Sequence, residues 1–248
     1  MSSSADTMPQ AHFQSQDALE QSYWWHVNRR TIALAWLHQL GVTRPRLLDL
    51  GCGTGGFLTE LAAATQSPRA LGLDASPVAL DFAAHHGLDV RQEDLSRPLQ
   101  LNEEPFDVAT AMDVMEHLPD EKPLLETARL NLRTGGYFIA SVPAYTFMFS
   151  TWDEQVGHYR RYTRPLLLKT VSGCGFTVVR CTYAFSYALL PAMARRIFGK
   201  AYSNETCVFP PMPRHANRAL LSFGSLEAAF LSHASLPFGL SVFILARK

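Results

Sequence analysis

LLDLGCGTGGF, residues 47–57, is the stretch on which the reading of this chain turns. An apolar run carrying Asp49 meets Gly51, Gly53, Gly55 and Gly56, the pattern of a strand that ends in a tight loop and opens a helix. Glycines there remove the Cβ atoms that would keep a ligand from the backbone. Gly51, Gly53 and Gly56 also satisfy G-x-G-x-x-G, so the loop by itself does not say which nucleotide it holds.

Outward from this loop, short apolar runs alternate with helical periodicity, which predicts an α/β fold: a mostly parallel sheet with helices on both faces. Strands are expected at 46–50, 70–73, 89–91, 106–111 and 137–142. After the second of them Ser76 can cap, and Pro77 can occupy the first position of, a helix over 78–84. Residues 16–40 have helical character and carry Tyr23, Trp24, Trp25, His26, Arg29 and Arg30, an N-terminal helical lid. The polar residues ahead of them are expected to form a disordered tail over 1–14, with one domain over 15–248. Within it, 15–44 is the lid, 45–143 the cofactor-binding core, and 144–248 an acceptor cover with late strands.

Those late strands are expected at 176–183 and 240–246, separated by a helical stretch at 184–198, a proline-rich turn at 209–213 and a helix from about Ala216. This is a helical insertion before the last strand. Ala216, Leu220, Phe223, Leu226 and Phe230 fall three or four apart, and the expectation is that this stripe covers the sheet. The sharper reading is a lipid-facing surface. Arg195 and Arg196 interrupt the apolar run well before the roughly 20 residues of a membrane span, so spanning is not expected and contact with a membrane surface stays open.

The chain's 248 residues, 47% of them apolar, suit one α/β core. Lys and Arg number 22, as do Asp and Glu, so no broad positive field exists to hold a nucleic-acid backbone, and no nucleic-acid partner is expected. Cys52, Cys174, Cys181 and Cys207 lack paired metal spacing, and no export signal is read ahead of them. They are expected to be reduced thiols in a cytoplasmic protein.

Four acids refine the ligand. Asp74 closes the second strand 23 positions beyond Gly51, where a carboxylate can accept ribose hydroxyls. Asp49 puts a second carboxylate beside the glycine loop, which suits a cationic amino group and repels a pyrophosphate. The third strand ends in Glu93-Asp94-Leu95, an acceptor for an adenine amino group followed by a backbone donor for a ring nitrogen. An NAD-dependent oxidoreductase would share the loop and Asp74 but leaves Glu93 and Asp94 unexplained.

With these motifs in place, the chain resembles the class I S-adenosylmethionine-dependent methyltransferases. The resemblance covers roughly 44–248, with LLDLGCGTGGF, LGLDASPVAL, RQEDL, FDVATAMDVMEHLPD and LNLRTGGYFIASVPA in the family's order. It implies a Rossmann-like seven-stranded sheet whose last strand, within PFGLSVFILARK, is antiparallel. It implies S-adenosyl-L-methionine as cofactor, with Asp49, Gly51, Gly53 and Gly55 around the methionine part, Asp74 on the ribose, Asp94 and Leu95 at the adenine, and Ala75 on its face. Arg29, in YWWHVNRR, is implied to hold the methionine carboxylate, the other reading being an exposed helix arginine. A non-catalytic module that only holds the cofactor is the second functional reading.

AMDVMEHLPD resembles the small-molecule branch that includes ubiquinone-biosynthesis O-methyltransferases, which implies methyl transfer to the O, N or C of a small-molecule acceptor. In that branch an acid followed by Glu-His can hold a divalent metal. The equivalents are Asp113, Glu116 and His117, which a helix would place on one face, although Asp113 is shorter than the usual glutamate. The other reading is that Glu116 and His117 anchor the loop; a metal is possible but not expected. If the acceptor carries a hydroxyl, a histidine suits proton removal, and His117 and His158 are the candidates. His158 lies in DEQVGHYRRYT, similar to an acceptor-site cover of related enzymes, where Asp153, Arg160, Arg161 and Tyr162 can shape an anionic or polar acceptor. Against this stands a loop that merely caps the sheet.

Overall fold

A computed structural model describes residues 10–198 and 212–248. The chain runs α1 (Gln10–Leu19), α2 (Trp24–Gln39), β1 (Arg46–Leu50), α3 (Gly56–Thr65), β2 (Arg69–Asp74), α4 (Pro77–His85), β3 (Asp89–Gln92) and β4 (Phe106–Met112). It continues through α5 (Lys122–Asn131), β5 (Leu132–Pro143), α6 (Thr151–Gln155), α7 (Arg164–Gly173), β6 (Thr177–Ala184), α8 (Ser186–Phe198), α9 (Arg214–Leu231) and β7 (Ser241–Arg247). The seven strands form one sheet in the order β3-β2-β1-β4-β5-β7-β6. The strands from β3 to β5 pair in parallel, and β7 is antiparallel to both of its neighbours, as the expected seven-stranded Rossmann-like sheet requires.

Side-chain alternation along the strands builds two cores. Leu48, Leu50, Phe138, Val242 and Ile244 point to one face, under Leu124 and Leu125 of α5 and Leu167 and Val171 of α7. Leu47, Ile139, Phe243 and Leu245 point to the other, under Trp36 of α2, Leu58 and Leu61 of α3 and Leu231 of α9. Because consecutive residues face opposite sides, a strand buried on both faces is mostly apolar, which is why β7 and the second half of β5, from Phe138 on, read as nearly continuous apolar runs. The β1–β2–β4 edge then projects its carboxyl ends into one crevice, where ligands of open α/β sheets bind.

The N-terminal expectation needs revision. The single helix over 16–40 is two helices broken at residues 20–23, where the backbone of Tyr23 is extended. Residues 10–14 are not tail: they start α1, with His12 and Phe13 buried. The remainder of that expected tail, residues 1–9, lies outside the described residues, as do Cys207 and residues 209–211 of the expected proline-rich turn. Cys52, Cys174 and Cys181 are free thiols.

A second revision concerns α9. The later part of its expected core stripe faces outward: Leu220 packs against the core, but Phe223, Leu226 and Phe230 are all at least half exposed, while Gly224, Glu227, Ala228 and Leu231 are buried. Two contacts turn the helix this way. Gly224 lies against Asn28 of α2 so closely that a Cβ would stand 2.0 Å from Asn28 Nδ2. The Glu227 carboxylate accepts the backbone N–H groups of Phe185 and Ser186, capping α8 from across the insertion. Trp36 Nε1 donates to Leu231 O at 3.0 Å, and Asn28 Nδ2 to Leu220 O at 3.0 Å, tying α9 to α2. Among the described residues no helix is long and apolar enough to cross a membrane.

Candidate active site

The loop after β1 takes its shape from glycine conformations. Gly51 and Gly53 have φ of +76° and +56°, and a Cβ on Gly51 would stand 2.6 Å from Val114 Cγ2. The Gly51 and Cys52 N–H groups both donate to Leu73 O, holding the loop over the end of β2. Asp74 completes it by accepting from Gly53 N and Ser76 N, each at 2.9 Å. Ser76 in turn caps α4 by accepting from Ala79 N, with Pro77 in the first turn, as the sequence predicts. Gly55, also left-handed, precedes α3 and packs toward Ala83 and Leu88 rather than lining the ligand space.

A cavity of about 950 Å³ opens over this loop. Arg29, Asp49, Gly51, Gly53, Asp74, Ala75, Asp94 and Leu95 all line it, so every residue expected at the cofactor except Gly55 reaches one space. Burial pushes the Asp49 carboxyl up to about 7, against a hydrogen bond of 2.6 Å from Thr110 Oγ1. Burial also raises Asp74 above the usual carboxylate range, against the N–H groups it accepts. Asp94 is held below that range by its hydrogen bonds with Ser96.

Glu20, which the sequence analysis passed over, is another buried carboxylate of the cavity wall, beside Asp49. Its Oε2 accepts from Gly56 N at 2.7 Å and its Oε1 from Gln16 Nε2 at 2.8 Å, so the lid is fastened to the first turn of α3. It precedes the glycine loop by 31 positions with no motif around it, and no local pattern could have found it. Arg29 is a buried residue rather than an exposed helix arginine, with Nη1 2.7 Å from Asp113 Oδ2 and Nη2 2.9 Å from His26 Nδ1.

Asp113 does not share a helical face with Glu116 and His117. It sits at φ +56°, with Oδ1 accepting from Ser141 Oγ at 2.9 Å and Oδ2 from Arg29. The polypeptide then makes a 3-10 turn over Met115–His117. The carboxylate–imidazole cluster that does form joins Glu116 and His117 to His158, with one ligand atom from each, all within 4.8 Å of one another. The short side chain of Asp113 and its ion pair take it out of the expected metal set. Glu116 is fully buried, and neither of its oxygens has a hydrogen-bond partner. Burial, with the Asp113 charge, holds its carboxyl well above the usual range. Burial lowers His117 to about 3, leaving a neutral imidazole.

His158 is oriented from behind. Its Nδ1 lies 2.9 Å from Asp153 Oδ1, which also accepts from Arg161 Nε at 2.8 Å. Burial alone would raise the Asp153 carboxyl, but the bonds from His158 and Arg161 prevail and hold it below its ordinary value. An ionised Asp153 can only accept, so Nδ1 of His158 carries the proton and Nε2 is left with a free lone pair at neutral charge. That Nε2 is 4.0 Å from Glu116 Oε1, and the His117 and His158 rings meet edge to face at 4.6 Å. His117, His158 and Arg161 line the same cavity as the cofactor residues. Arg160 turns away to Glu121, and Tyr162 is buried with its hydroxyl donating to Met115 O, so these two hold the cover in place.

Residues 23–180 match the family described as Methyltransferase domain. The chain is 33% identical over 151 residues to a ubiquinone biosynthesis O-methyltransferase of Paraburkholderia phymatum, covering 55% of this chain and 60% of that protein. It is 34% identical over 117 residues to the enzyme so named from Histophilus somni, covering 43% and 48%. The chain thus spans about half to three-fifths of the lengths of these relatives. Among solved structures, an S-adenosylmethionine-dependent methyltransferase from Mesorhizobium loti superimposes with a TM-score of 0.57 at 19% identity, over 86% of this chain and 97% of that one. A glycine loop walled by carboxylates at the crevice of such a sheet, and a family match extending from the lid to β6, lead to one assignment: the chain belongs to the methyltransferase domain family.

Proposed function

We propose that this protein transfers the methyl group of S-adenosylmethionine to a hydroxyl of a small-molecule acceptor. The observation that carries this reading is the opening of the carboxylate-walled glycine loop into the same cavity as the Asp153–His158 pair. Asp49 and Glu20 favour the cofactor's cationic end, Arg29 its carboxylate, Asp74 the ribose, and Ala75, Asp94 and Leu95 the adenine. The acceptor oxygen attacks the methyl carbon in line, the carbon–sulfur bond breaks to give a neutral thioether, and Nε2 of His158 takes the hydroxyl proton. The pyrophosphate of a dinucleotide would instead meet Asp49 and Glu20, which disfavours NAD.

Calorimetry tests the cofactor assignment. S-Adenosylhomocysteine is expected to bind and NAD to bind at least tenfold more weakly; tighter binding of NAD refutes the assignment. The same titration carries a pH signature. Asp49, raised to about 7, is protonated in the free protein below that pH, and a cationic ligand must expel the proton. Affinity should therefore rise as pH increases toward 7, by up to about tenfold per unit, and Asp49→Asn should flatten this rise.

A second reading rests on the unpartnered Glu116 carboxylate. Glu116, His117 and His158 offer the donor set of a divalent cation, which would polarise the acceptor oxygen if bound. Cobalt(II) gives the test. If the cluster holds metal, one equivalent should develop visible absorption that His117→Ala abolishes, and chelator should inactivate the enzyme. Full activity in chelator with no cobalt spectrum leaves His158 as the base.

A further inference from the structure

The α8–α9 insertion carries a surface that the catalytic site does not use. Outward on α9 stand Phe223, Leu226 and Phe230, at 53%, 70% and 50% exposure, and on α8 stands Leu190 at 74%. The two helices share one surface, because the Phe223 ring stacks on Tyr187 of α8 at 5.9 Å. Phe223 to Phe230 runs along about 10 Å of the helix, and scattered exposed apolar residues are ordinary whereas an aligned row is not.

Charge says what the row meets. On α9 the exposed charged side chains are Arg214 and Arg218, and the helix's one carboxylate, Glu227, is buried and bonded to the start of α8. In sequence, residues 186–238 hold five Lys and Arg against two Glu, in a chain whose charges balance as a whole. A second copy packed on this row would bring two cationic rims together. Anionic headgroups, with acyl chains beneath them, complement both the arginines and the apolar row.

We propose that the outward face of α8 and α9 docks on an anionic lipid surface, with Phe223, Leu226 and Phe230 entering the headgroup boundary and Arg214 and Arg218 pairing with lipid phosphates. The other side of this unit is part of the cavity wall: Ala192 of α8 lines it, and α9 backs α2, which supplies Trp24 and Arg29. Docking thus places a wall of the site beside the membrane, and no described helix is long and apolar enough to cross it.

Flotation of the full chain with vesicles tests this. Protein should float with phosphatidylcholine vesicles containing phosphatidylglycerol and stay behind with phosphatidylcholine alone. Arg214→Gln with Arg218→Gln should weaken the partitioning by about tenfold or more, and added salt should mimic that loss. Leu226→Glu with Phe230→Glu should abolish it while leaving the melting temperature and S-adenosylhomocysteine affinity unchanged. Three results overturn the proposal: no flotation of the parent protein, equal flotation of parent and variants, or a parent dimer that Leu226→Glu with Phe230→Glu converts to monomer. A large fall in melting temperature for the glutamate pair, with the arginine pair floating normally, also overturns it, since the row would then be covered within the chain.

Discussion

His158→Ala is expected to lower turnover roughly 10²–10⁴-fold, the usual contribution of a positioned general base, while S-adenosylhomocysteine affinity stays near that of the parent. The geometry predicts this separation. His158 Nε2 faces the space beside Glu116 and His117, whereas the cofactor's expected contacts lie along the β1 and β2 loops. Asp153→Asn adds a sharper readout, because an asparagine amide can donate to Nδ1 and turn Nε2 into the protonated nitrogen. Asp153 should then act as a positioning residue, with turnover falling and its pH profile shifting while KM for cofactor holds. Single-turnover measurement with methyl-labelled cofactor and the identified acceptor supplies the check. Turnover of His158→Ala close to the parent's across neutral pH would remove the base and leave proximity alone to drive the transfer.

Asp74→Ala should weaken cofactor binding by about 1.5–3 kcal/mol, the range for hydrogen bonds to a charged group, or about tenfold to 150-fold in affinity. In the present structure the carboxylate already accepts from Gly53 N and Ser76 N, so it shapes the loop as well as facing the ribose. The loss is larger than at a fully exposed carboxylate, since those N–H groups would be left without their partner. Thermal unfolding separates the two roles: a folded Asp74→Ala with parent-like affinity would exclude the ribose contact. Asp74→Asn, which retains one acceptor oxygen, should fall between the parent and the alanine variant.

The core of the cofactor site was legible because its signals are local. Asp49 ends a strand just ahead of Gly51 and Gly53, whose turn has conformations that glycine alone adopts easily, and Asp74, Ser76 and Pro77 combine a strand end with a helix cap. The acceptor side was legible only in part. His158 and Glu116 were both in view, but the expected grouping of Asp113 with Glu116 and His117 presumed a helix where β4 ends in a left-handed residue and a 3-10 turn. What withdraws Asp113 is Arg29, a residue of the lid 84 positions earlier.

By itself the sequence determined the strands, the alternation of strand and helix and the glycine loop, because side-chain alternation, turn residues and caps act between neighbours along the chain, whereas the antiparallel closing strand followed only from the resemblance to a family whose sheet ends that way. The tertiary structure alone decided that Glu20 fastens α1 to Gly56, that His158 joins Glu116 and His117, and that α9 turns its apolar row to solvent. Periodicity marks a helix face but not its neighbour. On α9 the closeness of Gly224 to Asn28 and the need of α8 for a cap at Glu227 outweighed the burial of Phe223, Leu226 and Phe230, since buried N–H groups without acceptors cost more than apolar side chains left at the surface.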